Sequence, residues 1–142
     1  MRSIALFSTA VAPMSAEALA ALGEERAEID GHVGITGMLL HKQGDFLQVI
    51  EGRDSVIRDM FFRISTDPRH KGVRKISERD IRQREFDGQM LPFKNLDVLP
   101  QGAPFLNPFS YDAFAAEPEL AMLALAFFFR NPRATLGWPS SE

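Results

Sequence analysis

The chain has 142 residues, the size of one domain, with 45% hydrophobic residues, 25% charged residues and a net charge of −3. This charge supplies no basic field for nucleic acid or anionic lipid, so neither is expected as a partner. The absence of cysteine excludes disulfides and thiolate chemistry, and it fits a reducing cytoplasm. No apolar run reaches the roughly 18 residues that a membrane span needs.

The first part of the chain predicts a strand, a helix and a hairpin. A short apolar run at 4–8 is typical of a buried strand. Ser15 is placed to cap a helix that runs to about residue 28. Residues 34–41 and 46–51 are expected to pair as a hairpin, because a short polar turn that contains glycine separates them.

A second helix and two further strands are predicted next. Asp54 or Ser55 is expected to cap the helix, and Pro68 stops it because the residue before a proline disfavours the helical conformation. Residues 73–76 and 81–86 predict the two strands.

The order of these elements predicts an α+β fold, a ferredoxin-like βαββαβ sheet with an extra strand. Each helix has one apolar stripe, so both helices are expected to cover the same face of the sheet. The segment 120–129 is apolar all round, so a helix there must be buried, on the other face of the sheet or between two copies. We therefore expect a domain at 1–97, a helical extension at 98–132, a tail at 133–142, and self-association.

Gln48 is an unusual polar residue within a predicted strand. Because side chains alternate along a strand, Gln48 shares a face with Phe46 and Ile50. A buried amide without partners costs about 1–3 kcal/mol. Gln48 therefore either bonds to a neighbouring protein group, which is the usual outcome, or faces a ligand edge rich in donors and acceptors.

Four segments together resemble the core motifs of the BLUF family, the sensors of blue light using FAD. They are Gly-Ile-Thr-Gly-Met-Leu-Leu at 34–40, Phe-Leu-Gln-Val-Ile-Glu-Gly at 46–52, Arg-Ile at 63–64 and Asp-Pro-Arg-His at 67–70. Their order and spacing match the family without a gap between residues 14 and 70. The resemblance covers residues 4–91, roughly two-thirds of the chain.

The resemblance implies that FAD lies between the two helices with its ring against the sheet. Gln48 would then reach the edge of the ring, and Arg63, Asp67 and His70 would lie near the ring and the ribityl chain, with Ile64 in the same site. A ligand with a polar edge and an apolar face suits such a pocket. For Asp67 the alternative is a local role, in which it bonds the backbone of the turn that ends the helix.

The chain departs from the family pattern at three places in this site. The family's photoactive tyrosine aligns with Phe7, which has no hydroxyl to donate. The family's asparagine pair aligns with Ile29 and Asp30; Ile29 offers no hydrogen bond, and an ionised Asp30 only accepts, so it would oppose a flavin carbonyl. Near the end of the last strand, the family's tryptophan and methionine align with Gln89 and Leu91.

In the family, the light reaction starts when the tyrosine gives an electron and a proton to the excited flavin. We therefore expect a flavin-binding signalling module whose ordinary photocycle is absent or altered and which acts on an unknown downstream partner. The alternative is a cofactor-free interaction module that retains the fold. An enzyme is not expected, because the three histidines lie on different elements and no P-loop, dinucleotide fingerprint or nucleophile elbow is present.

Overall fold

The computed structural model describes residues 1–86 and the backbone of residues 93–95. Its elements are β1 (Arg2–Ala10), α1 (Ala16–Val33), β2 (Thr36–Lys42), β3 (Asp45–Gly52), α2 (Asp54–Thr66), β4 (His70–Asp80) and β5 (Phe93–Asn95). The strands form one sheet in the order β4-β1-β3-β2-β5, antiparallel except for the β2/β5 pair. The ferredoxin-like α+β prediction is confirmed, and the extra strand is β5. The predicted extension at 98–132 and tail at 133–142 lie outside the described residues.

Both helices cover the same face of the sheet, as the single apolar stripe of each helix predicts. One buried cluster joins the sheet to α1 and α2, because alternate residues of β1 and β3 point toward the helices. Its members include Ile4 and Leu6 of β1, Phe46 and Ile50 of β3, Leu19 and Leu22 of α1, and Ile57, Met60 and Ile64 of α2.

The helix ends follow local chemistry, with two differences from the prediction. Ser15 caps α1 as predicted, since its side chain accepts a hydrogen bond from the backbone N–H of Ala18. The helix runs past residue 28 to Val33, where Gly34 at φ 75° ends it. The predicted cap at Asp54 or Ser55 is wrong, because β3 ends at Gly52 and the extended cap position falls on Arg53.

The hairpin between β2 and β3 is confirmed. Gln43 and Gly44 both have positive φ, at 50° and 85°, which is the conformation of a two-residue type I′ turn. This turn fixes the register that places Leu39 of β2 opposite Gln48 of β3.

The strand predicted at 81–86 is wrong. The backbone N–H groups of Glu85 and Phe86 donate to the two oxygens of the buried Glu51 carboxylate, at 2.9 and 2.8 Å. Those donors are therefore not available to a strand ladder. Thr36 donates to the same carboxylate at 2.7 Å, so Glu51 joins β2, β3 and the segment that follows β4.

Strand β4 lies at one edge of the sheet among the described strands. It is continuous over 11 residues and includes the strand predicted at 73–76. Its exposed side chains are charged, and they are Lys71, Arg74, Lys75, Glu78 and Asp80. Within the part of the chain that the structure describes, no helix is both long and apolar enough to cross a membrane.

The backbone of β3 passes close to Gly37 of β2, and this close approach provides a test of the fold. A Cβ at this position would lie 1.9 Å from the carbonyl oxygen of Val49, and φ is 153°. We expect Gly37→Ala to lower the free energy of unfolding by roughly 3–5 kcal/mol, because backbone must move to relieve the overlap. Denaturant titration of the full chain measures this loss.

Gly72→Ala is the matched control. Gly72 also has positive φ, at 61°, but a Cβ there meets nothing within 4 Å. Only the conformational cost remains, about 1–2 kcal/mol. Equal losses for the two variants would contradict the close approach at Gly37.

Candidate functional site: a cleft between the two helices

A cleft of about 460 Å³ opens between α1, α2 and the start of β4. Its apolar wall is formed by Leu22 and Ile29 of α1 and by Met60 and Ile64 of α2. These side chains belong to or pack against the buried cluster that joins helices and sheet. The inner wall of the cleft is therefore continuous with the core, while exposed residues such as Glu25 and Arg63 line its open side.

A buried guanidinium forms the floor of the cleft. Arg26 is only 6% exposed, and its Nη1 donates to Oε1 of the fully buried Gln48 at 2.7 Å. Its Nη2 lies 3.5 Å from a carboxylate oxygen of Asp30, one helical turn later on α1. Arg26 lines the cleft, and it lies between the cleft and Gln48. Gln48 thus bonds to a protein neighbour through Oε1, while its Nε2 has no hydrogen-bond partner among the described residues.

Burial dominates the electrostatics of this pair. Desolvation raises the pKa of Asp30, and the attraction of Arg26 opposes this shift. Desolvation likewise lowers the pKa of Arg26, with Asp30 opposing. The ion pair and the hydrogen bond to Gln48 therefore offset only part of the cost of burying these two groups.

An ion-pair network holds the rim of the cleft. The Asp67 carboxylate accepts from the backbone N–H of Arg69 at 2.9 Å and from its guanidinium Nη2 at 2.7 Å. The hydrogen bonds of Arg69 are the largest cause that lowers the pKa of Asp67. Arg69 also donates to Glu25 of α1 at 3.0 Å, so it ties the turn after α2 to α1. This favours the local, turn-forming role for Asp67.

His70 lies at the end of the cleft nearest the sheet. Its Nδ1 shares a hydrogen bond of 3.0 Å with the Ser8 hydroxyl of β1, and its ring meets Phe46 edge to face. Burial lowers the pKa of His70, and the charge of Asp67 partly offsets this while Arg69 and Arg26 add to it. The imidazole is therefore held in its neutral form.

Phe7, which was predicted to be a cofactor-binding residue, is not among the residues that line the cleft. Leu6 belongs to the cluster under the helices and Ser8 bonds His70, so the alternation of β1 places Phe7 on the opposite face. Phe7 pairs with Leu47 in the same register. The side chains that β1 presents near Gln48 are thus Leu6 and Ser8, and neither carries a phenol.

The other predicted residues are brought together. Ile29, Arg63, Ile64, Asp67 and His70 line the cleft, and Asp30 and Gln48 are buried beside Arg26 at its floor.

Arg26 and Arg69 were missed by the sequence reasoning. A signal for Arg26 was present, because it follows Leu22 by four residues and precedes Asp30 by four, and so lies on the buried face of α1.

A sequence model of one family, described as sensors of blue-light using FAD, matches residues 1–91. The chain belongs to the BLUF family. Among curated relatives, the photoactivated adenylate cyclase subunit beta of Euglena gracilis is 29% identical over 89 residues, which cover 63% of this chain and 10% of the cyclase. The alpha subunit of the same organism is 38% identical over 64 residues, 45% of this chain and 6% of that protein. The chain thus spans about a tenth of the cyclases it matches.

Solved structures of BLUF proteins share the fold. The BLUF domain of BlrP1 superposes with a TM-score of 0.67 at 23% identity, covering 94% of this chain and 93% of that domain. BlrP1 of Klebsiella pneumoniae, in a structure with FMN and cyclic diGMP, has a TM-score of 0.64 at 26% identity, over 70% of this chain and 27% of that protein.

The BLUF family binds flavin, and the cleft of this member fits such a group. Its volume of about 460 Å³ lies within the range of small-molecule sites, roughly 300–1,000 Å³. One wall is apolar, and Nε of Arg26 and Nε2 of Gln48 are buried at the floor without a hydrogen-bond partner among the described residues. A flat ring with a polar edge matches this combination.

The buried His70 of this BLUF chain predicts a pH-dependent stability. Because the folded state lowers its pKa below the usual value, the unfolded state binds protons more readily. The contribution of His70 is therefore complete above about pH 6.5 and is lost as the pH falls through the lowered value. We expect the free energy of unfolding to fall between pH 7 and pH 5, as measured by urea titration.

His70→Phe isolates this contribution. It retains a ring against Phe46 but cannot titrate, and it leaves the Ser8 hydroxyl unpaired at a cost of about 1–3 kcal/mol. The variant should be less stable at pH 7 and lose less stability than the wild type on acidification. An unchanged slope would contradict the assignment.

Proposed function

We propose that this chain is a flavin-binding sensor module that holds FAD, or the flavin part of it, in the cleft between α1 and α2. The observation that carries the proposal is a cleft between the helices with one apolar wall, whose floor carries buried donor atoms without a hydrogen-bond partner in the described part of the chain. Burying donors without acceptors is costly, so the folded chain gains free energy when a ligand supplies acceptors. Bound flavin would supply a chromophore for blue light.

Different residues of the cleft would contact different parts of the flavin. Ile29, Met60 and Ile64 exclude water from the faces of a flat ring. Arg26 offers hydrogen-bond donors to its polar edge, and Gln48 holds Arg26 in place from below. Arg63 and Arg69, at the rim, place positive charge where the more polar part of a flavin nucleotide would leave the cleft.

The ordinary tyrosine photocycle is absent under this proposal. A phenol must lie beside Gln48 to exchange a proton with the excited ring, and the helix-facing positions of β1 are occupied by Leu6 and Ser8. Tyr111 is the only tyrosine of the sequence. Under this proposal the absence follows from Leu6 and Ser8, because Phe7 does not line the cleft.

The contacts of Arg26 at the floor of the cleft also support a second function. Arg26 already occupies Oε1 of Gln48 and is paired with Asp30, so the chain could keep the BLUF fold and work as a cofactor-free interaction module. In either case we propose that the chain is not itself an enzyme and that it signals in the cytoplasm through a protein partner or through a second copy of itself. The relatives named as photoactivated cyclases are consistent with a regulatory role.

Filling the cleft tests the proposal directly. Ile29→Trp places an indole between the helices and should weaken FAD binding at least tenfold, because the ring and the indole compete for the same space. Flavin fluorescence titration of the purified full chain with FAD and FMN measures the affinity.

Glu28→Trp is the control, because Glu28 is exposed on the same helix one residue earlier. It should bind flavin as the wild type does. A wild-type chain that is colourless and ignores both FAD and FMN would refute the flavin proposal and leave the cofactor-free module.

The flavin-loaded chain is also expected to lack the small light-induced red shift of the family. A light-minus-dark absorption spectrum in the blue region measures this shift. Tyr111→Phe removes the last phenol of the chain and should leave the spectrum unchanged. A reversible red shift in the wild type that disappears in Tyr111→Phe would show that Tyr111 supplies the missing group.

A further inference from the structure

Five buried polar atoms at one place in the described part of the chain have no hydrogen-bond partner. They are Nε and Nη2 of Arg26, both carboxylate oxygens of Asp30 and Nε2 of Gln48. Each such atom costs about 1–3 kcal/mol when it is left unpaired. A cluster of this size at the base of a cleft therefore points to a ligand that completes it.

Arg26 is the member of this cluster that faces the ligand space. It lines the cleft, whereas Gln48 and Asp30 are fully buried beside it. Gln48 accepts from Arg26 Nη1 at 2.7 Å, and Asp30 lies 3.5 Å from Nη2, so the guanidinium is held from two sides. Its Nε and Nη2 still have hydrogen atoms to donate.

The charge at this position is as important as the hydrogen bonds. A guanidinium remains protonated in proteins, and a charge at a buried position acts through a lower effective dielectric than one at the surface. Arg26 lines the cleft and Asp30 does not, so the positively charged member of this pair is the one nearer to the ligand space.

We propose that Arg26, rather than Gln48, contacts the polar edge of the flavin ring, and that its charge makes the cleft prefer the reduced, anionic form of the flavin over the oxidised, neutral form. Gln48 and Asp30 are positioning residues that fix the guanidinium. The inference rests on the proposed flavin function, and it assigns a redox-state preference to a residue outside the motifs that identify the family.

The preference is measured as a ratio of two dissociation constants. The full chain is titrated anaerobically with oxidised FAD and with FAD reduced by dithionite, and binding is followed by absorbance and by intrinsic fluorescence. The wild type should bind the reduced form at least tenfold more tightly. Linkage requires the midpoint potential of bound FAD to rise relative to free FAD by the corresponding amount.

Arg26→Met removes the charge and should abolish the preference. Arg26→Lys should restore part of it, which a purely structural role for the guanidinium would not explain. The double variant Arg26→Met/Asp30→Asn removes both buried charges, so it keeps the test valid if the single variant folds poorly. Arg58→Met, which removes an exposed charge from α2, is the matched control and should retain the wild-type ratio.

The possible outcomes separate the two proposals. If the wild type binds oxidised and reduced FAD equally, or if Arg26→Met and the double variant keep the wild-type ratio, the inference about Arg26 is wrong and the flavin function stands. If the wild type binds neither form, both proposals are wrong.

Discussion

The contact between the guanidinium of Arg26 and the amide of Gln48 determines what the cleft can do. It places a cation at the bottom of the cleft, directly above Gln48, the glutamine of the family motif. An apolar side chain in its place would let the helices close over a dry core. The buried guanidinium therefore gives the floor of the cleft a polar group that an apolar side chain would not supply.

Strand β3, which lies directly beneath this contact, is held by several long-range hydrogen bonds. Glu51, three residues after Gln48 on β3, accepts from Thr36 of β2 and from two backbone N–H groups that follow β4. The β2–β3 turn and the close approach at Gly37 set the register of the same strand. The position of Gln48 is therefore fixed by contacts on both sides of β3, while the rim of the cleft depends on the ion pairs of Arg69.

The sequence predicted the sheet, both helices and most of the cleft, because periodicity and the four motifs act locally. It failed where a single long-range contact decides the outcome. Residues 81–86 carry a strand-like pattern, yet Glu51 captures their N–H groups. Phe7 aligns with a functional position, yet the register of β1 turns it to the other face. Arg26 could have been found as a charge within an apolar stripe, but its bond to Gln48 spans 22 residues and is visible only in the fold.

Among the described strands, β4 forms an edge of the sheet where another protein could attach. An unpaired strand edge is a template on which a second chain can extend the sheet. Charged side chains of both signs, among them Lys71, Arg74, Lys75 and Glu78, are exposed on this strand, and bulges in its pairing with β1 interrupt its regularity. Charges and bulges on an edge strand disfavour the addition of another strand, so sheet extension at β4 is disfavoured as a route to aggregation or fibril growth.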